Sequence, residues 1–105
     1  MSQTREHFRI DFLESDRPKL IIKGVTYTII DLSEGGCKFA GSPILPDDSP
    51  MNGTIKFGDD SLHEVSGKVI RSDLVKRVAI AEFDEGVPFS TMMKEHRRLI
   101  KKYKS

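Results

Sequence analysis

The chain has 105 residues, of which 31% are charged and 37% hydrophobic, and a formal net charge of +1. That is one domain's worth of chain with a single core, and the balance excludes a disordered polymer. Near-neutrality argues against a general nucleic-acid binder, and no apolar run approaches the ~20 residues of a membrane helix.

The opening stretch TREHFRIDF alternates with period two. Phe8, Ile10 and Phe12 are apolar, while Arg5, His7, Arg9 and Asp11 are polar, the pattern of a half-buried strand. On an extended chain Arg5 and Arg9 share a face, roughly 13 Å apart at ~3.3 Å per residue. Two guanidiniums so spaced suit one ligand of dinucleotide size, and equally two solvated side chains on an edge strand. Few apolar side chains precede Phe8, so the first residues are expected to form an arm that a ligand orders.

Ser15–Pro18 then reads as a turn. Lys19–Lys23 and Val25–Asp31 are β-branched and aromatic-rich runs separated by Gly24. DLSEGG, from Asp31 to Gly36, leads into the short strand CKFA, and SPILPDDSPMNG is expected to be a loop. TIKF and HEVSGKVIRS form a hairpin around GDDS, and Val75–Phe83 ends the β portion. About seven short strands with turns between them and no intervening helix predict a small antiparallel barrel or sandwich.

The period then changes. Met92, Met93, His96, Leu99, Ile100 and Tyr103 form one helical stripe, with Ser90 as the expected N-cap. Residues 90–105 carry six basic side chains and one acid, against a body whose charges sum to −4. Lys94, Arg97, Arg98, Lys101 and Lys102 lie opposite the stripe. This helix either covers an open end of the barrel with its charges solvated, or docks a partner.

No enzyme chemistry is legible. His7, His63 and His96 lie on three separate elements without metal-ligand spacing, and Cys37 stands alone. No GxSxG, HExxH or P-loop occurs, and the aspartate pairs 47–48 and 59–60 suit turns. A lone cysteine and the absence of a signal-like start lead to the expectation of a reducing, cytoplasmic setting and a small, inert Cys37. In DLSEGG, a carboxylate to accept from the guanine N1–H and N2–H edge, a serine hydroxyl and two glycines suit a binding loop, and equally a plain strand–turn–strand connection.

Two stretches matter together. Arg5-Glu6-His7-Phe8-Arg9 fits RxxxR, and Asp31-Leu32-Ser33-Glu34-Gly35-Gly36 fits DxSxxG about twenty residues later. The pair resembles the PilZ family, bacterial receptors for the second messenger cyclic di-GMP. The resemblance spans essentially the whole chain, and GKVIR (Gly67–Arg71) and VAIAEF (Val78–Phe83) also look like the family's later strands. It implies a mainly β fold: a six-stranded antiparallel β-barrel followed by a C-terminal α-helix. Residues 1–105 would form a single domain, with a ligand-clasping arm over 1–9 and the amphipathic helix over 90–104.

The resemblance further implies that Arg5 and Arg9 clasp phosphates and guanine edges, that Asp31 accepts from a guanine, and that Ser33 contacts the ligand. Gly36 would allow close approach and Gly35 would shape the loop beside it. Some members carry a further arginine just before RxxxR, associated with an intercalated ligand dimer; here that position is Thr4, so one cyclic di-GMP per chain is expected. The implied protein is a receptor or adaptor without cofactor, metal or membrane insertion. It would signal to an unidentified partner protein in a process such as motility, biofilm formation or virulence. Two alternatives remain: a PilZ-like module of the pilus-assembly type working through protein contacts alone, and a small nucleic-acid-binding barrel.

Overall fold

A computed structural model describes residues 8–104. Seven strands run in chain order: β1 (Arg9–Asp11), β2 (Lys19–Ile22), β3 (Val25–Ser33), β4 (Gly36–Ala40), β5 (Pro50–Lys56), β6 (Leu62–Asp73) and β7 (Val78–Phe83). A 3-10 turn at Glu14–Asp16 follows β1, and helix α1 (Phe89–Lys104) ends the chain. All pairings are antiparallel, in the order β1-β3-β2-β5-β6-β7-β4, and a further β3–β4 pairing closes the sheet. Strands β2 to β7 therefore make the expected six-stranded barrel, which leaves no open edge between them. The seventh strand, β1, lies outside this ring and pairs with the far end of β3.

Strand β3 can serve three partners because it is long. Its first half pairs with β2 across a two-residue turn at Lys23-Gly24, both at positive φ (51° and 83°), the backbone of the tight hairpin turns that favour glycine. Its second half lies between β1 and β4. The interior is apolar: Leu20, Ile29, Leu32, Phe39, Met51, Ile55 and Val69 are fully buried. Met92 from α1 is equally buried, with Val87 beside it, so the helix closes one end of the barrel with an apolar plug.

Several boundaries move from those expected. Strand β5 begins at Pro50, inside the segment read as a loop. Asn52 and Gly53 hid it, yet a Cβ on Gly53 would meet the Ile21 carbonyl oxygen at 2.8 Å, so close strand packing explains the glycine. Strand β7 starts at Val78 rather than Val75. The Asp73 carboxylate accepts from the backbone N–H groups of Val75 and Lys76, and Arg77 sits at φ 60°, which makes a turn of the intervening residues.

Helix α1 starts at Phe89, and the Pro88 carbonyl accepts from Thr91 and Met92. Pro88 thus holds the cap position expected of Ser90, which lies inside the first turn. The basic face is also smaller than expected. Arg98 is bound at 2.9 and 3.0 Å by the buried Glu95, and Lys102 by the buried Asp16 at 2.6 Å.

Candidate functional site

Two β-bulges decide which side chains reach the outer wall of the barrel. Along β3, Tyr27 and Ile29 point inward, so strict alternation would send Asp31 and Ser33 into the core. The register slips between Ile29 and Asp31, pairing them with Phe39 and Lys38 in turn. One extra residue, Ile30, reverses the phase. Leu32 is then fully buried, and Asp31 and Ser33 face outward. The Ile30 carbonyl is taken by the Phe12 N–H at 3.1 Å, so β1 is fastened to the bulge itself.

Strand β1 brings Arg9 opposite Ser33, Ile10 opposite Leu32 and Asp11 opposite Asp31. Ile10 is buried and Arg9 and Asp11 are exposed, as the alternation of the opening stretch predicts. Next along the wall, Gly36 pairs with Ser33 on one side and Glu82 on the other. Arg9, Asp31, Ser33, Gly35 and Gly36 line one open cavity of about 330 Å³, with Ile70, Ile80 and Glu82 on its far side. That volume lies at the lower end of the ~300–1,000 Å³ range of small-molecule sites. Arg5 lies outside the described residues.

The floor of this cavity is rigid. The Glu34–Gly35 turn is held from behind, because Phe83 N–H donates to the Gly35 carbonyl at 2.9 Å and Val87 N–H to the Glu34 carbonyl at 2.8 Å. A Cβ on Gly36 would lie 2.3 Å from the Ala81 carbonyl oxygen. Glycine is therefore required there by the approach of β7. Gly35 has open space around it. The Ser33 hydroxyl donates to the Gly36 carbonyl in a long bond of 3.3 Å, which a stronger acceptor could replace.

Electrostatically the site is mixed. Burial holds the Asp31 carboxyl above its ordinary value, and Asp11 adds to that, while Arg9 and Lys38 oppose it. Arg9 lies 3.6 Å from Asp11 with both side chains largely exposed, a contact of little energy. Among the described residues its guanidinium has no other ion pair. Behind the wall, burial and then Asp31 push the Cys37 thiol up to about 12, so Cys37 is an inert core residue. Among the described residues no group of His, Cys, Asp and Glu is placed to hold a metal ion, and no helix is long and apolar enough to cross a membrane.

The sequence model of the family described as PilZ domain matches residues 3–104. The chain belongs to the PilZ family. Its structure is similar to that of the Bacillus subtilis Inhibitor of motility (MotI/DgrA), with a TM-score of 0.59 and 15% identity over 97% of this chain. The chain spans about half of that protein, 54% of its length, and at this identity the likeness speaks for the fold alone. No curated protein matches the sequence. PilZ domains are receptor and adaptor modules of the cyclic di-GMP type rather than enzymes.

Sequence reasoning missed three residues of the wall. Ile70, Ile80 and Glu82 line the cavity, yet they come from strands read only as barrel. A signal for both bulges was present: the doublets Ile29-Ile30 and Val69-Ile70 each interrupt an alternating strand at the point where its phase changes.

Proposed function

We propose that this PilZ domain binds one cyclic di-GMP on the outer wall of its barrel and passes that state to a partner protein. One observation carries the reading. Arg9 on β1 stands directly across from Ser33 on β3, and both line a single cavity with Asp31 and Gly36. The last residue of RxxxR thus lies beside the DxSxxG stretch.

Each side chain has a chemical part. The Arg9 guanidinium fits phosphate oxygens or the O6/N7 edge of guanine, as a planar fork of donors. Arg5, four residues earlier, would supply the second cation. Asp31, when ionised, accepts from the guanine N1–H and N2–H groups, a pattern adenine does not offer. Ser33 adds a hydroxyl to the base or phosphate, and Gly35 leaves room beside it. Hydrogen bonds to charged groups contribute roughly 1.5–3 kcal/mol each. At the upper end of that range, four of them with base stacking at about 1–3 kcal/mol, set against an association cost of about 4 kcal/mol or more, leave about −8 kcal/mol, a micromolar Kd.

Arg9 joins the output to the ligand, because it stands on β1, which among the described residues pairs with no strand but β3. The module would act in the cytoplasm, where such a ligand is made and where Cys37 stays reduced. Isothermal titration of cyclic di-GMP tests the reading, with GTP and single-stranded DNA as controls. Saturation near one ligand per chain, weakened ten-fold or more by Arg9→Ala, is the expected outcome. No binding up to the solubility limit would leave the protein-contact module as the function.

A further inference from the structure

We propose that Ile70 and Ile80 form an apolar seat on which one purine ring of the ligand lies flat. The inference rests on the cyclic di-GMP reading and extends it to two residues outside both motifs. Ile70 is 47% exposed and Ile80 36% exposed, and both line the cavity that holds Arg9, Asp31 and Ser33. Single exposed apolar residues on a surface need no explanation. Two branched aliphatic side chains on adjacent strands, opening into one cavity beside Arg9, Asp31 and Ser33, do.

The second bulge puts Ile70 there. Along β6, Val65 and Val69 point into the core, and the register slips between Val69 and Arg71, which pair with Ala81 and Ile80. Ile70 is the extra residue, and it faces out together with Arg71. Bulges re-aim side chains beside functional sites, and this one is secured from its other side. The Val69 carbonyl accepts from Asp48 N–H at 2.7 Å and its N–H donates to the Ser49 carbonyl at 2.9 Å. The Asp47 carboxylate takes the N–H and hydroxyl of Ser72 at 2.7 and 2.8 Å. The loop before β5 thus holds the bulge, and Ile70 is fixed in its outward position before any ligand arrives.

The polar groups of the cavity act on edges: Asp31 and Arg9 can read the rim of a base or a phosphate but offer nothing to its face. A purine face is apolar and polarisable, and Ile70 and Ile80 supply the complementary surface. The occupant is therefore a planar heterocycle with a polar rim, here the guanine of cyclic di-GMP. The seat contributes affinity, and base choice stays with Asp31.

The test uses the full chain with isoleucine δ1-methyl labelling and cyclic di-GMP as titrant. A ring lying on a methyl group shields it, so the Ile70 and Ile80 methyl signals are expected to move upfield on saturation. The Ile100 methyl, equally exposed but on α1, is expected to stay. Ile70→Ala and Ile80→Ala should each weaken binding about ten-fold, and Ile100→Ala should leave it unchanged. Unshifted Ile70 and Ile80 methyls in a protein that binds the ligand, with unchanged affinity in both alanine variants, would overturn the seat while leaving the receptor reading intact. A parent protein that binds no cyclic di-GMP at all would overturn both.

Discussion

The Phe8 ring meets His96 of α1 edge-on, with ring centroids 5.0 Å apart and planes at 88°. It also meets Phe89 at 6.1 Å and 71°. Phe8 is the residue immediately before Arg9, so the strand that carries the cavity-lining arginine begins on the helix. Such aromatic pairs contribute about 0.5–1.5 kcal/mol each beyond their buried area. A ligand that draws Arg9 into the cavity therefore acts on a ring that touches α1. Cyclic di-GMP is expected to shift the His96 ring C–H signals in NMR spectra. Phe8→Leu should keep affinity within a few-fold and suppress that shift. A saturated parent protein with unmoved His96 signals would mean that the helix does not sense the site.

The fold was legible where one physical rule acts alone. Phe8, Ile10 and Phe12 alternate and lie half-buried or buried, and Met92 is the deepest residue of a helix whose stripe was read from spacing. The same rule failed where tertiary pairing imposes a change of phase. Ile30 and Ile70 leave no more than an apolar doublet in the sequence, yet they settle which residues face outward. Buried charge was invisible for a related reason. Glu95 sits in a run of basic residues and reads as solvated, but Arg98 and the barrel cover it. At the site, Arg9, Asp31, Ser33, Gly35 and Gly36 line one cavity, and Arg5 lies outside the described residues.

Asp16 ties the end of α1 to the turn after β1. Its carboxylate, 2% exposed, accepts from Lys102 Nζ and the Tyr103 hydroxyl, each at 2.6 Å. The Lys102 and Tyr103 hydrogen bonds hold its pKa below the ordinary 3.8, and the Asp16 bond raises that of Lys102 above 10.5. A depressed carboxyl pKa stabilises the fold above 3.8, and that gain is lost as pH falls through the lower folded value. A raised lysine pKa stabilises below 10.5, and that gain is lost as pH rises through the folded value. Asp16→Asn should lower Tm by several degrees at pH 7, with faster amide exchange in the last turns of α1. The gap to the parent protein should narrow below pH 3.8 and close once pH falls below the lower folded value, which thermal melts across pH will show.

Adjacent glycines of the DLSEGG turn should respond unequally to alanine. At Gly36 the new Cβ would lie 2.3 Å from the Ala81 carbonyl oxygen, and backbone cannot swing aside. The expected loss is about 1–3 kcal/mol, read as a lower denaturant midpoint at unchanged slope. At Gly35 nothing lies within 4 Å, so Gly35→Ala should stay within about 0.5 kcal/mol of the parent protein. A fall in ligand affinity in Gly35→Ala then reports on contact or crowding at the site, whereas the same fall in Gly36→Ala mixes binding with strain in the barrel.

Asp31 separates stability from function. Burial raises its carboxyl above the ordinary 3.8, more than Arg9 and Lys38 lower it. A raised carboxyl pKa means that ionisation opposes folding. The cost is absent below pH 3.8 and develops as pH rises through the higher folded value. Asp31→Asn removes that cost at neutral pH, so its Tm at pH 7 is expected to equal or exceed that of the parent protein. The difference should vanish below pH 3.8, where both side chains are neutral. The same substitution sets an amide N–H₂ where a carboxylate would accept from guanine, and the affinity for cyclic di-GMP should fall ten-fold or more. Melts from pH 3 to 8 together with titration at pH 7 check both halves. A lower Tm at pH 7 would mean that the carboxylate serves the β3–β4 pairing. A higher one with lost binding would mean that the barrel carries an unfavourable charge on its wall because a ligand uses it.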